Sequence, residues 1–177
     1  EGDESADRVL QIAEQALTDA YELLRAFDPE RGFDSWSFRR SAIEPHEQDR
    51  FGDEEGTVID MLRDSAMRST PDTSALSTRW LASPHVLFRR LGLHLVIESS
   101  HLSGDEKSVI ALGGHLYDPD MKHELFRLLA VVAAELSPDA RQELLAAVIA
   151  GPPREDPVEG TDPHLRRRAI FDRIEWL

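Results

Sequence analysis

Apolar residues recur at three- and four-residue steps between Ser5 and Phe27, as they do along one face of an α-helix. The members of this stripe are Val9, Ala13, Leu17, Ala20, Leu24 and Phe27. Because a serine side chain favours the N-cap position, Ser5 is the predicted N-cap. The alternation of apolar and polar residues that is typical of strands is not sustained anywhere in the sequence. We therefore expect an all-α protein.

Residues 28–56 follow neither the helical nor the strand period. Glycine, proline and charged residues are mixed there, which predicts a long connection between helices. A connection of this length is unusual inside a compact domain, so it indicates either a packed functional loop or a disordered segment. Helical spacing resumes at Val58, and a short helix is expected to carry Trp80 and Leu81.

Helix starts recur along the chain after Trp80. Four of them place a serine or an aspartate before a proline, so that the side chain caps the helix and the proline needs no N–H in the first turn. These pairs are Ser83-Pro84, Asp118-Pro119, Ser137-Pro138 and Asp162-Pro163. A fifth start is Ser103-Gly104-Asp105-Glu106, and Gly113-Gly114 closes that helix. Together these signals predict about seven or eight helices in the chain.

Two of these starts open segments with similar sequences. SPHVLFRRLGLHLV begins at Ser83 and DPHLRRRAIFDRI begins at Asp162, about 80 residues apart, which is near twice the roughly 40-residue period of helical-hairpin repeats. The first segment resembles the opening helix of a HEAT-type repeat, in which a capped start leads to an arginine and then to small residues and leucines. The matching positions are Ser83-Pro84, Arg89-Arg90, Leu91, Gly92 and Leu95, repeated as Asp162-Pro163, Arg167-Arg168, Ala169 and Ile170. The resemblance implies antiparallel helical hairpins stacked as a short HEAT- or armadillo-like right-handed solenoid.

A broader resemblance involves three stretches, SWSFRRSAIEPHEQDR, SPHVLFRRLGLHLV and HELFRLLA with the following LSPDARQELLAAVIAGPP. They resemble the helical tail regions of large bacterial multidomain proteins, which follow NTPase or sirtuin-like modules and are linked to defence or signalling. This resemblance implies a non-catalytic helical-repeat module for interaction or regulation, with any catalytic module outside the segment. The sequence itself contains neither GxxxxGK[ST] nor GxGxxG, the phosphate-binding patterns of nucleotide sites.

The predicted organisation is one all-α domain over residues 1–177, which we interpret as a fragment of a longer protein. Its N-terminal helices occupy residues 5–79 and include the long loop 28–56. The helical-repeat part occupies residues 80–177.

The composition narrows the classes of partner. There are 20 Lys and Arg residues against 34 Asp and Glu residues, so the formal net charge is −14 and nucleic acid is disfavoured as a ligand. No apolar run approaches the roughly 20 residues of a membrane helix, so we expect no membrane contact. The absence of cysteine excludes disulfides and thiolate metal sites and favours a cytoplasmic location. The expected partner is a protein or a neighbouring domain of the same chain.

The histidines do not form a recognisable catalytic or metal-binding pattern. His123-Glu124 lacks a second histidine four residues on, because Arg127 occupies that position, and the zinc-helix motif therefore fails. His94 is expected to be partly buried and hydrogen-bonded, whereas His85 and His164 are expected at the surface in first helical turns. We therefore predict no catalytic residue, no metal ligand and no bound cofactor.

The loop offers the best candidate for function. Aromatic residues and charges are mixed there, as they are at the hot spots of protein interfaces. The candidate interaction surface consists of Trp36, Phe38, Arg39, Arg40, His46, Glu47, Asp49 and Arg50. The structural alternative is that Trp36, Phe38 and Ile43 fold back over the first helices while the charges face water.

Two other functions stay open at this point. The first is a hydrolase-type or metal-dependent enzyme that uses the acidic and histidine residues of loop 28–56. The second is nucleic-acid binding through the arginine clusters at Arg89-Arg90 and at Arg166-Arg167-Arg168. The excess of acids favours a structural role for these arginines, in which they pair with acidic residues of adjacent hairpins.

Overall fold

The computed structural model describes residues 3–28, 34–49, 54–69, 73–152 and 163–177. Within those ranges the chain forms nine α-helices and no strand, which confirms the all-α class. The helices are α1 (Glu4–Phe27), α2 (Ser35–Arg39), α3 (Glu54–Ser69), α4 (Ser74–Leu81), α5 (Val86–Glu98), α6 (Gly104–Leu112), α7 (Lys122–Val132), α8 (Pro138–Ala150) and α9 (Pro163–Ile174). Short 3₁₀ turns lie at Glu47–Asp49 and Pro119–Met121. The helix count exceeds the prediction, partly because α2 lies inside the segment predicted as a connection.

The chain forms two compact units, Glu1–Leu95 and Val96–Leu177. The division falls within α5, whereas the sequence pattern places the start of the helical-repeat part at residue 80. The stacking of hairpins into a solenoid stays a prediction.

The core of the first unit lies between α1, α3 and the start of α5. Leu10, Ala13 and Leu17 of α1 are buried. The last two belong to the predicted apolar stripe, whereas Leu10 does not. They pack in one cluster with buried residues of the later helices, which are Ile59, Leu62, Ala66, Trp80, Leu87, Phe88 and Leu91. Ile43, from the predicted loop, is fully buried in the same cluster.

Helix α1 ends at Phe27 as predicted, but its N-cap and the exposure of its last residue differ from the prediction. The N-cap is Asp3, whose carboxylate accepts a hydrogen bond of 3.0 Å from the backbone N–H of Ser5. Ser5 is therefore the second residue of the helix and not its cap. Phe27 is 86% exposed, because the helix ends at that residue and no described element covers its last turn.

The second unit contains the helix starts that the sequence predicts best. The Ser103 side chain and Glu106 form a reciprocal capping box at the start of α6. Ser137 caps α8 by accepting a bond from the N–H of Ala140, and Pro138 occupies the first turn. The N–H of Ser137 also donates to the Asp105 carboxylate at 2.8 Å, which ties the starts of α6 and α8 together.

The other predicted starts are displaced or only partly described. Helix α5 begins at Val86, and the Ser83 hydroxyl accepts a bond from the N–H of His85 just before it. Asp118 caps the 3₁₀ turn that precedes α7. The start of α9 at Pro163 agrees with the prediction, but its predicted cap Asp162 lies outside the described residues.

Apolar residues of α6, α7 and α8 form the core of the second unit. Its largest fully buried side chains are Met121, Leu125, Leu128, Leu129 and Leu144. Gly151 is the C-cap of α8 and adopts a positive φ of 76° that an L side chain rarely takes. A Cβ atom at this position would also lie 2.8 Å from the guanidinium of Arg166.

A close approach in the second unit requires glycine at the start of α6. A Cβ atom on Gly104 would lie 2.7 Å from Cβ of Glu135 and 3.0 Å from its carbonyl carbon. We expect Gly104→Ala to lower the free energy of unfolding by about 1–3 kcal/mol, because the turn after α7 must move to admit a methyl group. Urea denaturation measures this change.

Gly113→Ala is the matched control for that substitution. Gly113 has a φ of −67°, and its nearest crowding atom would be the carbonyl oxygen of Ile110 at 3.2 Å. Its stability should change by less than about 1 kcal/mol. Equal losses in the two variants would contradict the close-approach explanation.

Candidate functional site

The segment that contains the predicted interaction surface is held by a buried arginine of α5. Arg90 is 4% exposed. Its Nη1 atom donates to the carbonyl oxygens of Ser37 at 2.6 Å and Arg40 at 2.9 Å, and its Nη2 atom donates to that of Ser41 at 3.3 Å. These bonds go to backbone carbonyl oxygens, whereas we predicted that the arginine clusters pair with acidic side chains. They fix the path of the chain where α2 ends.

Two further arginines tie the same segment to α3. Arg40 donates to the carbonyl oxygen of Ala42 at 2.7 Å and to Asp60 at 2.6 Å. Arg63 donates to the carbonyl oxygen of Ile43 at 2.9 Å and to the same Asp60 oxygen at 2.7 Å. Asp60 thus bridges both guanidinium groups. Arg40 is a buried structural residue and does not belong to an exposed surface, contrary to the prediction.

Asp49 is also structural. Its carboxylate accepts bonds from the backbone N–H groups of Ser41 at 3.2 Å and Ala42 at 3.4 Å, and it lies 3.6 Å from Nε of Arg40. Both carboxylate oxygens are thus directed into the segment itself, and a contribution of Asp49 to an interaction surface stays a prediction.

Of the six other members of the predicted surface, four are exposed, one is half-buried and one lies outside the described residues. Phe38 is 75% exposed, and Arg39, His46 and Glu47 are exposed with it. Arg39 forms an ion pair with Glu55 of α3. Trp36 is only half-buried and packs against the core cluster. Arg50 lies outside the described residues.

We also considered that the three apolar residues of this segment fold back over the first helices, and this alternative holds for two of them. Trp36 and Ile43 fold back over the first helices, whereas Phe38 remains exposed. A charged residue that we expected to face water, Arg40, is buried instead. The segment 34–49 is therefore a packed element with one aromatic side chain left outside.

An aromatic cluster lies where α1 meets the start of α5. The rings of Tyr21 and His85 stack at a centroid distance of 4.0 Å, and the Trp36 ring meets Tyr21 edge-on at 4.9 Å. The Tyr21 hydroxyl donates to the Asp34 carboxylate at 2.6 Å. His85, which we expected at the surface, is half-buried, because its ring stacks on Tyr21. Tyr21 lies four residues after Leu17 on the buried stripe, which is the signal that could have indicated this contact.

Burial sets the protonation of this cluster. It raises the pKa of Tyr21, and the hydrogen bond to Asp34 raises it further. Burial also lowers the pKa of His85 below its usual value of 6.5, against the opposing effect of the Asp34 carboxylate. Both side chains are therefore held in their neutral forms.

Asp34 has a structural task of its own. Besides accepting from Tyr21, its carboxylate caps α2 by accepting from the N–H groups of Trp36 at 3.1 Å and Ser37 at 2.9 Å. Three hydrogen bonds to one carboxylate fix the start of α2. Tyr21, Asp34 and His85 thus form a packing cluster in which the acidic group is already engaged.

An apolar cavity of about 150 Å³ opens between α1 and the start of α3. Its walls are almost entirely apolar and are formed by Ala16, Leu17, Ala20, Trp36, Val58, Ile59 and Leu87. Glu54 and Glu55, at the start of α3, complete the lining. The sequence pattern did not single out this site, although the two alanines one helical turn apart are a visible signal.

The second unit has a wider and more polar hollow of about 490 Å³. It lies beside the end of α8 and is lined by Leu112, Gly114, Leu116, Tyr117, Asp118, Ala147, Gly151 and Pro152. The Tyr117 hydroxyl donates to the carbonyl oxygen of Val148 at 2.5 Å, so the polar group in its wall already has a partner.

Most residues of the two arginine clusters form hydrogen bonds within the compact unit to which they belong. Arg89 donates to the carbonyl oxygens of Ser83 and Pro84. Arg166 donates to the carbonyl oxygen of Pro152 at 2.6 Å, and Arg168 donates to Asp172 at 3.1 Å. Arg167 is exposed.

In the described ranges, no group of three or more His, Asp or Glu residues is placed to hold a metal ion. The helices described here include none with the length and apolar character needed to cross a membrane. The chain matches no protein-family model, no curated protein and no solved structure.

The stacking of His85 on Tyr21 generates a pH prediction. The free energy of unfolding should fall as the pH is lowered from about 7 to 5, because unfolded His85 takes up a proton near its usual pKa of 6.5 while the folded residue resists protonation. His85→Phe keeps a ring on Tyr21 and should remove this part of the slope. Urea denaturation at several pH values measures it.

His101→Phe provides the control, since His101 is exposed. This variant should keep the pH slope of the parent protein. A parental slope in His85→Phe would show that the stacked ring does not cause the pH dependence.

Proposed function

We propose that the chain is a non-catalytic interaction or regulatory module of a larger bacterial protein. It acts in the cytoplasm as a scaffold or ligand sensor for a protein partner or for a neighbouring domain of the same chain. The observation that carries this proposal is the position of Phe38, which is 75% exposed on α2 while Trp36 and Ile43 on either side pack inward.

The rigid support of α2 makes an exposed phenylalanine useful for binding. Asp34 caps the helix at one end, and Arg90 binds the carbonyl oxygens of Ser37 and Arg40 at the other. A side chain on a backbone that is already ordered loses less conformational entropy when a partner binds. A large apolar side chain beside an arginine, here Arg39, is typical of interface hot spots.

A HEAT- or armadillo-like stack of antiparallel hairpins is part of the same proposal. Its support is local: capped helix starts recur at Ser103 and Ser137, and α6 packs against both α7 and α8. In such repeats the binding surface forms where neighbouring hairpins lie side by side.

The enzyme hypothesis has less support in the described part of loop 28–56. Its acids Asp34 and Asp49 accept bonds from backbone N–H groups and so serve the segment itself. His46 and Glu47 are exposed and remain the residues that this hypothesis needs. A stoichiometric bound metal that is lost in His46→Ala would favour the enzyme over the interaction module.

The nucleic-acid hypothesis depends on the arginines that face solvent. Arg90 and Arg166 direct their guanidinium groups to backbone carbonyls. Arg167 and Arg168 are exposed, and Arg168 pairs with Asp172, so Arg167 is the member to test. Salt-sensitive retention on DNA or RNA that disappears in Arg167→Glu would favour this hypothesis.

Replacement of the exposed phenylalanine tests the proposal. We expect Phe38→Asp to weaken binding of a partner protein at least tenfold, because a hot-spot aromatic side chain is replaced by a charge that must be desolvated. The partner is first isolated on the immobilised chain, identified by mass spectrometry and purified. Its affinity for the parent and variant chains is then measured by calorimetry.

Phe171→Asp is the matched control, since Phe171 of α9 is 56% exposed. It should bind the purified partner as tightly as the parent protein does. Equal affinity in the parent and in Phe38→Asp, with both chains folded by circular dichroism, would contradict the assignment of this surface.

A further inference from the structure

The Tyr21 ring connects His85 to the start of α2. It stacks on the His85 ring at 4.0 Å between centroids, and Trp36 of α2 meets it edge-on at 4.9 Å. The Tyr21 hydroxyl also donates to Asp34 at 2.6 Å, and the same carboxylate caps α2. A displacement of the His85 ring therefore reaches α2 through a single intermediate side chain.

The surroundings of His85 disfavour a positive charge on its ring. Burial of the ring is the main cause, because it removes water from the charged form. Arg25 of α1 and Arg89 of α5 oppose the charge as well, and so does the partial positive charge at the start of α5, which His85 directly precedes. Asp34 and Glu22 favour the charge, but the balance keeps the pKa of His85 below the usual 6.5.

This difference decides the direction in which pH acts on the stacked rings. A His85 ring that has left Tyr21 regains its water and takes up a proton near pH 6.5, whereas the stacked ring resists protonation to a lower pH. The stacked arrangement is therefore fully stable above about pH 6.5 and loses stability as the pH falls below that value. Acid favours the arrangement in which the ring has left Tyr21.

We propose that His85 is a pH switch that controls the order of α2. In acid its ring leaves Tyr21, and Tyr21 then holds Trp36 and Asp34 less firmly. The backbone of α2 opens locally, Phe38 loses its ordered support, and binding of a protein at Phe38 weakens. This last step rests on the proposed function, whereas the opening of α2 does not.

An NMR titration of the parent chain tests the connection without a substitution. The ring signals of His85 should titrate with a midpoint below pH 6.5. The amide signals of Trp36 and Ser37, which donate to Asp34, should shift with the same midpoint. A midpoint of His85 at or above 6.5, or separate midpoints for the ring and the amides, would overturn the proposal.

Amide hydrogen exchange measures the opening of α2. The protection of the Phe38 and Arg40 amides, which donate to backbone carbonyls at the start of this helix, should fall at least about twofold between pH 7 and pH 5. Protection is corrected for the intrinsic exchange rate at each pH. His85→Phe keeps a ring on Tyr21 and should remove the fall, whereas His101→Phe, at an exposed position, should keep it.

The amides of α3 show whether the opening is local. Those of Ile59 and Leu62, which are buried in the core cluster, should stay better protected than the α2 amides at both pH values. An equal fall in the parent and in His85→Phe, or an opening of α3 together with α2, would contradict the switch.

Partner affinity tests the step that depends on Phe38. The purified partner should bind the parent chain at least about twofold more weakly at pH 5 than at pH 7, and His85→Phe should remove the difference. If α2 opens in acid while the affinity stays the same, the control of α2 by His85 holds and the binding surface at Phe38 is wrong. The two proposals are thus distinguished.

Discussion

The buried guanidinium of Arg90 is the constraint on which the first unit depends. A charged group at 4% exposure is costly to bury unless hydrogen bonds replace its water. The chain meets this requirement by turning the carbonyl oxygens of Ser37, Arg40 and Ser41 towards it. The route of the segment after α2 is thus fixed by a side chain of α5. The exposure of Phe38 and the inward position of Trp36 both follow from that route.

The second unit uses basic side chains in a similar way. Lys107 is 5% exposed, and its Nζ atom donates to the carbonyl oxygen of Ile97 at 3.0 Å. Arg173 donates to the carbonyl oxygen of Leu116 at 2.5 Å while its guanidinium lies 4.2 Å from the centre of the Tyr117 ring. Ile97 lies in the last turn of α5, where carbonyl oxygens have no partner within the helix, and Leu116 lies in the turn that follows α6. Cations that bind such carbonyl oxygens are engaged within the protein and are poorly placed to bind phosphate.

The difference between local and distant interactions explains which features could be predicted from the sequence. The starts at Ser103 and Ser137 were predictable, because each cap is decided by residues within three or four positions. The burial of Arg90 was not, since the carbonyl oxygen of Ser37 that it binds lies 53 positions away. Helix α2 is likewise too short for a periodic pattern to reveal it.

The candidate site could likewise be predicted only in part from the sequence. The mixture of aromatic and charged residues drew attention to Phe38 and Arg39, which are exposed. It could not separate them from Arg40 and Asp49, because similar charged residues become internal or external according to their tertiary partners. The apolar cavity was also beyond prediction, since its walls come from four helices and only the small residues of α1 indicate it.

Amide hydrogen exchange in Arg90→Met tests most directly whether this arginine fixes the segment. The account predicts that the N–H groups of residues 36–40 exchange at least about tenfold faster than in the parent protein, while the amides of α8 keep their protection and report that the chain has not unfolded globally. Arg89→Met, at the adjacent and more exposed position, should leave residues 36–40 unchanged. Parental exchange of these amides in a folded Arg90→Met protein would contradict the central role of Arg90.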